Sequence, residues 1–144
     1  YVMLKPGVLQ RRLVGEIISR FEKKGLTISA MKMMQIPRET AEYHYSEHKD
    51  KPFFADLIGY ITSGPVVAMV VSGENAVKTI RTLCGATKIE EALPGTIRGD
   101  LAGATTKNVI HASDAVDTAE REIDIFFKPE EIFDYDAGNS DWVY

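Results

Sequence analysis

Apolar positions recur along this chain at helical and strand spacings, and the places where the spacing changes mark its elements. Tyr1 to Lys5 predicts a short strand ended by Pro6-Gly7. Tyr1 already lies inside the apolar pattern, so a slightly longer first strand, with a starting Met ahead of it, is expected. Val8 to Lys24 carries Leu9, Leu13, Ile17 and Phe21 at four-residue spacing, widened by Val14 and Ile18, which predicts an amphipathic helix capped by Gly25. Alternation at Leu26, Ile28 and Ala30 predicts a second strand over 26–36, stopped by Pro37. Arg38 to Lys49 is polar and predicted helical, and Pro52 opens another helix through Phe53, Phe54, Leu57, Ile58 and Ile61. After the turn Ser63-Gly64-Pro65, the unbroken apolar run Val66 to Val71 predicts a central strand. Glu74 to Cys84 sets Val77, Ile80, Leu83 and Cys84 on one helix face, with Gly85 as cap. Residues 86–107 lack periodic apolar positions, hold Pro94, Gly95, Gly99 and Gly103, and read as a long loop, a feature that is usually functional in a compact domain. The loop leads into a short strand carrying His111. A helix over Val116 to Phe127, a turn at Pro129 to Phe133 and an irregular tail follow. The order βαββαβ plus helix predicts an α+β, ferredoxin-like fold over a single domain, residues 1–144: a four-stranded antiparallel sheet with helices on one face, plus extra helices and the long loop.

Composition narrows the function classes. With 144 residues, 44% hydrophobic and 26% charged, the chain is long enough to bury a real core. A formal net charge of -4 provides no global basic field, so no nucleic-acid binding is expected and any anion site must be local. The one cysteine, Cys84, excludes a disulfide framework and a cysteine-based zinc site within one chain. No run of about 18 apolar residues and no leader pattern occurs. A soluble, cytoplasmic protein is therefore expected.

Candidate chemistry centres on Asn108-Val109-Ile110-His111-Ala112-Ser113-Asp114, where a β-branched pair delivers one histidine to a polar turn. A neutral imidazole there can act as nucleophile at neutral pH, although a lone histidine after an apolar pair is more often structural. Glu122, on the following helix, lies within folding-back reach and could orient the ring; the alternative is a surface acid in Glu120-Arg121-Glu122. No Gly-x-x-x-x-Gly-Lys-Ser/Thr loop exists to cradle phosphates, so side chains must do so. Lys5, Arg81 and Arg98 could converge on a polyphosphate, with Arg98 inside Pro94-Gly95-Thr96-Ile97-Arg98-Gly99-Asp100, whose glycines let an anion approach the backbone. His44-Tyr45-Ser46-Glu47-His48 matches the His-x-x-Glu-His pattern of inverted zinc peptidases, but no third ligand follows it.

Taken together, Lys5-Pro6, Lys51-Pro52-Phe53-Phe54, Ser63 to Met69, Pro94 to Asp100, Asn108 to Asp114 and Asp141-Trp142-Val143-Tyr144 resemble the nucleoside diphosphate kinases over essentially the whole chain. The resemblance implies reversible transfer of the γ-phosphoryl group of a nucleoside triphosphate to a nucleoside diphosphate, by a ping-pong route through phosphohistidine. It implies His111 as the phosphorylated nucleophile, Glu122 as the acid orienting it and Ser113 as an assisting hydroxyl. Lys5, Tyr45, Arg81, Thr87, Arg98 and Asn108 match positions that contact phosphates or sugar, and Phe53 matches the aromatic that stacks on the base. Mg²⁺ is expected to arrive with the nucleotide, and a homo-oligomer, a hexamer built from dimers, is expected as the assembly. The chain departs from the family pattern at Lys5-Pro6-Gly7-Val8, where an acid is lost and the glycine moved. Arg12 stands where glycine is usual, Ile89 where proline is frequent and Ala115 where a second Ser is frequent. The rival reading is a non-catalytic nucleotide-binding or regulatory module of the same fold.

Overall fold

In the computed structural model, which describes residues 1–144, the strands are β1 (Val2–Leu4), β2 (Thr27–Met34), β3 (Val66–Ser72) and β4 (Ile110–Ala112). The helices are α1 (Val14–Lys23), α2 (Arg38–His44), α3 (Phe54–Ile61), α4 (Ala76–Cys84), α5 (Ile97–Leu101), α6 (Val116–Phe126) and α7 (Ser140–Val143), with 3-10 turns at Ser46–His48, Ile89–Glu91 and Pro129–Glu131. The strands form one antiparallel sheet in the order β2-β3-β1-β4, the ferredoxin-like arrangement, with β3 and β1 inside and β4 at one edge.

The unbroken apolar run of β3 has a direct cause: the sheet is covered on both faces. Val67, Met69 and Val71 join Val2, Leu4 and Ile110 in one core with Ile17 and Phe21 of α1 and Ile80 and Cys84 of α4. Val66, Ala68 and Val70 join Met3 in a second core with Ala41 of α2, Ile58 and Ile61 of α3, and Phe126 of α6. Successive strand residues point to opposite faces, so only a strand buried twice can be apolar at every position. The expected helices on one face are thus α1 and α4, and the extra helices close the other.

Three boundaries differ from the sequence expectation. Helix α1 begins at Val14 rather than Val8, because Gly7 (φ +97°) and Arg12 (φ +58°) both take left-handed backbone, and residues 6–12 form turns. The segment 38–49 is helical only to His44 and then tightens into the 3-10 turn. The loop over 86–107 is not structureless: it contains Ile89–Glu91 and α5, which a window dominated by glycine and proline conceals. The tail likewise ends in the short α7. It also lies along β2, where Phe133 N donates to Ser29 O (2.8 Å) at the point where the β2–β3 register slips between Ile28 and Ala30.

Candidate active site

Two short segments, 94–100 and 108–113, meet over the β1–β4 edge and build the site from the backbone up. In the first, Thr96 caps α5: its Oγ1 accepts from Gly99 N (3.0 Å) and donates to Leu93 O (2.6 Å). Gly99 is required because a Cβ there would sit 2.0 Å from Leu93 O. The result turns Arg98 inward, where it is 3% exposed. Its guanidinium donates to three carbonyls: Gly85 O (2.9 Å), Ile110 O (2.7 Å) and Asn108 O (3.3 Å). Arg98 therefore fastens the end of α4 to β4 and, with five N–H donors, still has two free for the cleft it lines.

In the second segment, Ile110 N donates to Asn108 O across a single residue, Val109, held at φ +63°. A γ-turn with positive φ is rare, and for a β-branched residue it is strained by about 1–3 kcal/mol. Lys5 N donating to Val109 O (2.9 Å) and Arg98 hold it in place. The turn presents His111 from the middle of β4, not from its end as the sequence suggested, with a side chain 21% exposed.

Behind His111 lies a buried polar cluster. His111 Nε2 is 2.5 Å from Glu122 Oε2, and Ser113 Oγ donates to Glu122 Oε1 (2.6 Å). His44 Nε2 meets the same Oε2 from the opposite side. Burial would raise the Glu122 carboxyl, but hydrogen bonds from His111, His44 and Ser113 outweigh it and hold the group far below the usual carboxylate range. Glu122 is thus a fixed anion, which can only accept. The proton of each facing imidazole must sit on Nε2. His111 Nδ1 is then the lone-pair nitrogen; no protein group bonds to it, and it is not among the buried unpartnered atoms. Burial lowers the basicity of His111 more than Glu122 raises it, which favours the neutral, nucleophilic ring.

His111 opens into a cleft of about 610 Å³ that Lys5, Tyr45, Arg81, Thr87, Arg98 and Asn108 help to line. Lys5 Nζ donates to Asn108 Oδ1 (2.7 Å), and Asn108 Nδ2 donates to Thr87 O (3.2 Å), so these three positions form one chain of contacts. Arg81 Nη1 donates to Ala112 O (3.2 Å). Tyr45 Oη is buried without a partner beside the cleft. Phe53 does not enter the cleft wall: it is half exposed, its ring 5.4 Å from that of His48, which lines the cleft. The zinc reading of residues 44–48 fails on geometry. Helix α2 stops at His44, His48 faces Glu47 and Phe53, and the cluster that gathers around His44 contains His111 and Glu122 instead.

Two residues in the site escaped the sequence reading in these roles. His44 shares a buried helix face with Ala41 and Tyr45 at three- and four-residue spacing, a signal of burial that the peptidase motif obscured. Arg121 donates to His44 O (3.2 Å) and Tyr43 O (2.9 Å), tying α6 to the end of α2, and nothing in its sequence context marks it.

A sequence model described as nucleoside diphosphate kinase matches residues 1–132. The chain belongs to this family. It is 58% identical over 144 residues to the nucleoside diphosphate kinase of Archaeoglobus fulgidus, covering 100% of this chain and 95% of that protein. It is 54% identical over 142 residues to that of Treponema pallidum, covering 99% and 95%. Among solved structures, a halophilic nucleoside diphosphate kinase from Halobacterium salinarum in complex with CDP superposes with a TM-score of 0.96 at 50% identity, covering 99% of this chain and 95% of that one. As a member of this family the chain is an enzyme, a nucleotide phosphotransferase, and neither the zinc peptidase nor the non-catalytic module is favoured.

Proposed function

We propose that this enzyme carries the γ-phosphoryl group of a nucleoside triphosphate on His111 Nδ1 and returns it to a nucleoside diphosphate bound in the same cleft. The observation that carries this reading is the division of labour on the ring: Nε2 is held by Glu122, and Nδ1 is left unpaired at the cleft surface. The Nδ1 lone pair attacks the γ-phosphorus, and the P–O bond electrons leave with the diphosphate. The second half-reaction reverses this with a new acceptor, giving ping-pong kinetics. Charge in the loose transition state spreads over the equatorial oxygens, so positioned cations and in-line geometry supply most of the catalysis. Lys5, Arg81 and the two free N–H groups of Arg98 meet that need, with Tyr45, Thr87 and Asn108 as further contacts to phosphate or sugar. Phe53, at the rim, would stack on the base without reading its edges, consistent with broad base tolerance. Ser113 and Glu122 orient the nucleophile.

Mg²⁺ belongs to this scheme as part of the substrate. The one grouping of three metal-ligating side chains, His44, His111 and Glu122, offers two nitrogens and one oxygen, a donor set unsuited to a hard, oxygen-seeking ion. The ion would be held by phosphate oxygens and water. Residues 1–144 are read as one working domain. Self-association is supported by the part of the β2 edge beyond the tail's contacts at Ile28 and Ser29, where Met31 and Met33 are 54% and 63% exposed on a strand that pairs within the sheet only with β3. A hexamer built from such dimers is the proposed assembly, with Ile89 the position whose departure bears on its strength. No helix is long and apolar enough to cross a membrane, and a cytoplasmic location is proposed.

The test is intact mass after incubation with ATP and Mg²⁺ without acceptor. One acid-labile phosphoryl group is expected, absent in His111→Ala and discharged by a nucleoside diphosphate. Nucleotide binding with neither phosphoenzyme nor turnover would sink the proposal in favour of a binding module.

A further inference from the structure

Two imidazoles converge on Glu122 Oε2, and of the two only the His111 ring is part-exposed. The His44 side chain is 2% exposed and arrives from a different element, α2. Its ring lies 4.2 Å from that of Tyr45 and 5.1 Å from that of Phe126, and Arg121, the residue before Glu122, holds its carbonyl. Because Glu122 accepts only, the His44 proton must sit on Nε2, which leaves its Nδ1 a buried acceptor with no partner. A phenyl ring would fill the same space without stranding a polar atom. Packing alone therefore does not account for a histidine here.

Resting on the assignment of His111 as the phosphorylated residue, we infer that His44 is a positioning residue that keeps the Nε2 proton on His111 by holding part of the charge of Glu122. When Nδ1 bonds to phosphorus, the His111 ring becomes cationic, with Nε2–H facing Glu122. If that proton crosses to the carboxylate, the ring becomes a neutral phosphoimidazole, and its departure would require an imidazolate, a poor leaving group. If it stays, the Nδ1–P bond breaks with its electron pair returning to Nδ1, and neutral imidazole leaves. A second N–H on the same oxygen makes Glu122 a weaker base and so favours the second course. Ser113 occupies the other oxygen and completes the restraint.

The experiment compares the unaltered chain with His44→Phe, which keeps a ring and loses the donor, and His44→Gln, which keeps an N–H of similar reach. The measured quantities are the phosphoenzyme fraction at a fixed ATP:ADP ratio and the rapid-quench rates of the two half-reactions. In His44→Phe, discharge should slow about tenfold relative to formation, the scale of one charge-assisted hydrogen bond, and the equilibrium should shift towards phosphoenzyme. His44→Gln should restore the original partition. Equal slowing of both half-reactions in His44→Phe, or a Gln variant indistinguishable from it, would mean that the ring only packs, and would overturn the inference. Nitrogen-15 NMR of the unaltered phosphoenzyme gives a check free of folding defects: Nε2 of His111 should be protonated, and a deprotonated Nε2 overturns the inference. Failure of the unaltered chain to form any phosphoenzyme would instead overturn the assignment of His111.

Discussion

On the face covered by α1 and α4, the buried helix side chains are Ile17, Phe21, Ile80 and Cys84, all apolar or nearly so. On the face covered by α2, α3 and α6, Ala41, Ile58, Ile61 and Phe126 are interleaved with His44, Tyr45 and Glu122. All three buried side-chain atoms without partners, Tyr1 Oη, His44 Nδ1 and Tyr45 Oη, belong to this second face. The same sheet thus carries one face whose buried helix side chains are apolar and one that gives up apolar contact to hold a charged carboxylate. Stability and catalysis are separable here because β1 and β3 present alternate residues to each.

The strongest way to sharpen that contrast is Phe21→Ala, which opens a cavity at a fully buried position of the first face. Urea unfolding should report a loss of about 3–5 kcal/mol, while turnover per folded molecule stays unchanged. A matching fall in turnover would show the faces to be coupled. Arg98→Met, by contrast, should lower both. It strips donors from the carbonyls of Gly85, Asn108 and Ile110, at a cost of about 3 kcal/mol by the same assay, and frees the Val109 turn, so phosphoenzyme formation should fall with it.

A smaller effect concerns Lys5, whose burial and proximity to Arg98 bring its ammonium down to about 8. Nucleotide phosphates need the charged form, so kcat/KM should decline above pH 8 by about tenfold per unit, a limb that Lys5→Met abolishes. The folded chain loses this proton near pH 8 and the unfolded chain near ~10.4, so between those values the unfolded state binds more protons and Lys5 makes stability rise with pH. Smallest is Arg12→Gly. Arg12 is exposed at φ +58°, where a side chain is unwelcome, and relief of that strain should raise the unfolding free energy by about 1 kcal/mol without touching activity. An unchanged midpoint would show that the turn ahead of α1 relaxes around arginine at no cost.

Three of those positions, Phe21, Arg98 and Arg12, also show what the sequence makes legible. Phe21 announced itself by spacing, and the run at Val66–Val71 gave the central strand, because burial is written in apolar period. The inward turn of Arg98 was half visible: the glycines marked close approach, but its three carbonyl partners come from segments that only the fold brings together. Arg12 hid the true start of α1, since a left-handed arginine leaves the apolar spacing intact while breaking the helix. The polar residues around His44 suggest an exposed helix face, but α2 ends at His44 and its ring turns into the core. His111, Glu122 and Ser113 were named from motif and resemblance; their convergence within hydrogen-bonding distance belongs to tertiary structure alone.

The strand bearing His111 pairs only with β1, and Ser113 N donates to Tyr1 O at a sequence separation of 112. Contacts so distant along the chain close after local ones, because the entropy of drawing the ends together must be met first. Glu122 lies farther on still. A polypeptide growing from its amino end therefore has α1 to α5 and the paired β2 and β3 before it has a nucleophile, and the centre comes together only when α6 joins. Competence arrives with α6, and a chain cut ahead of it is expected to be silent, not half active.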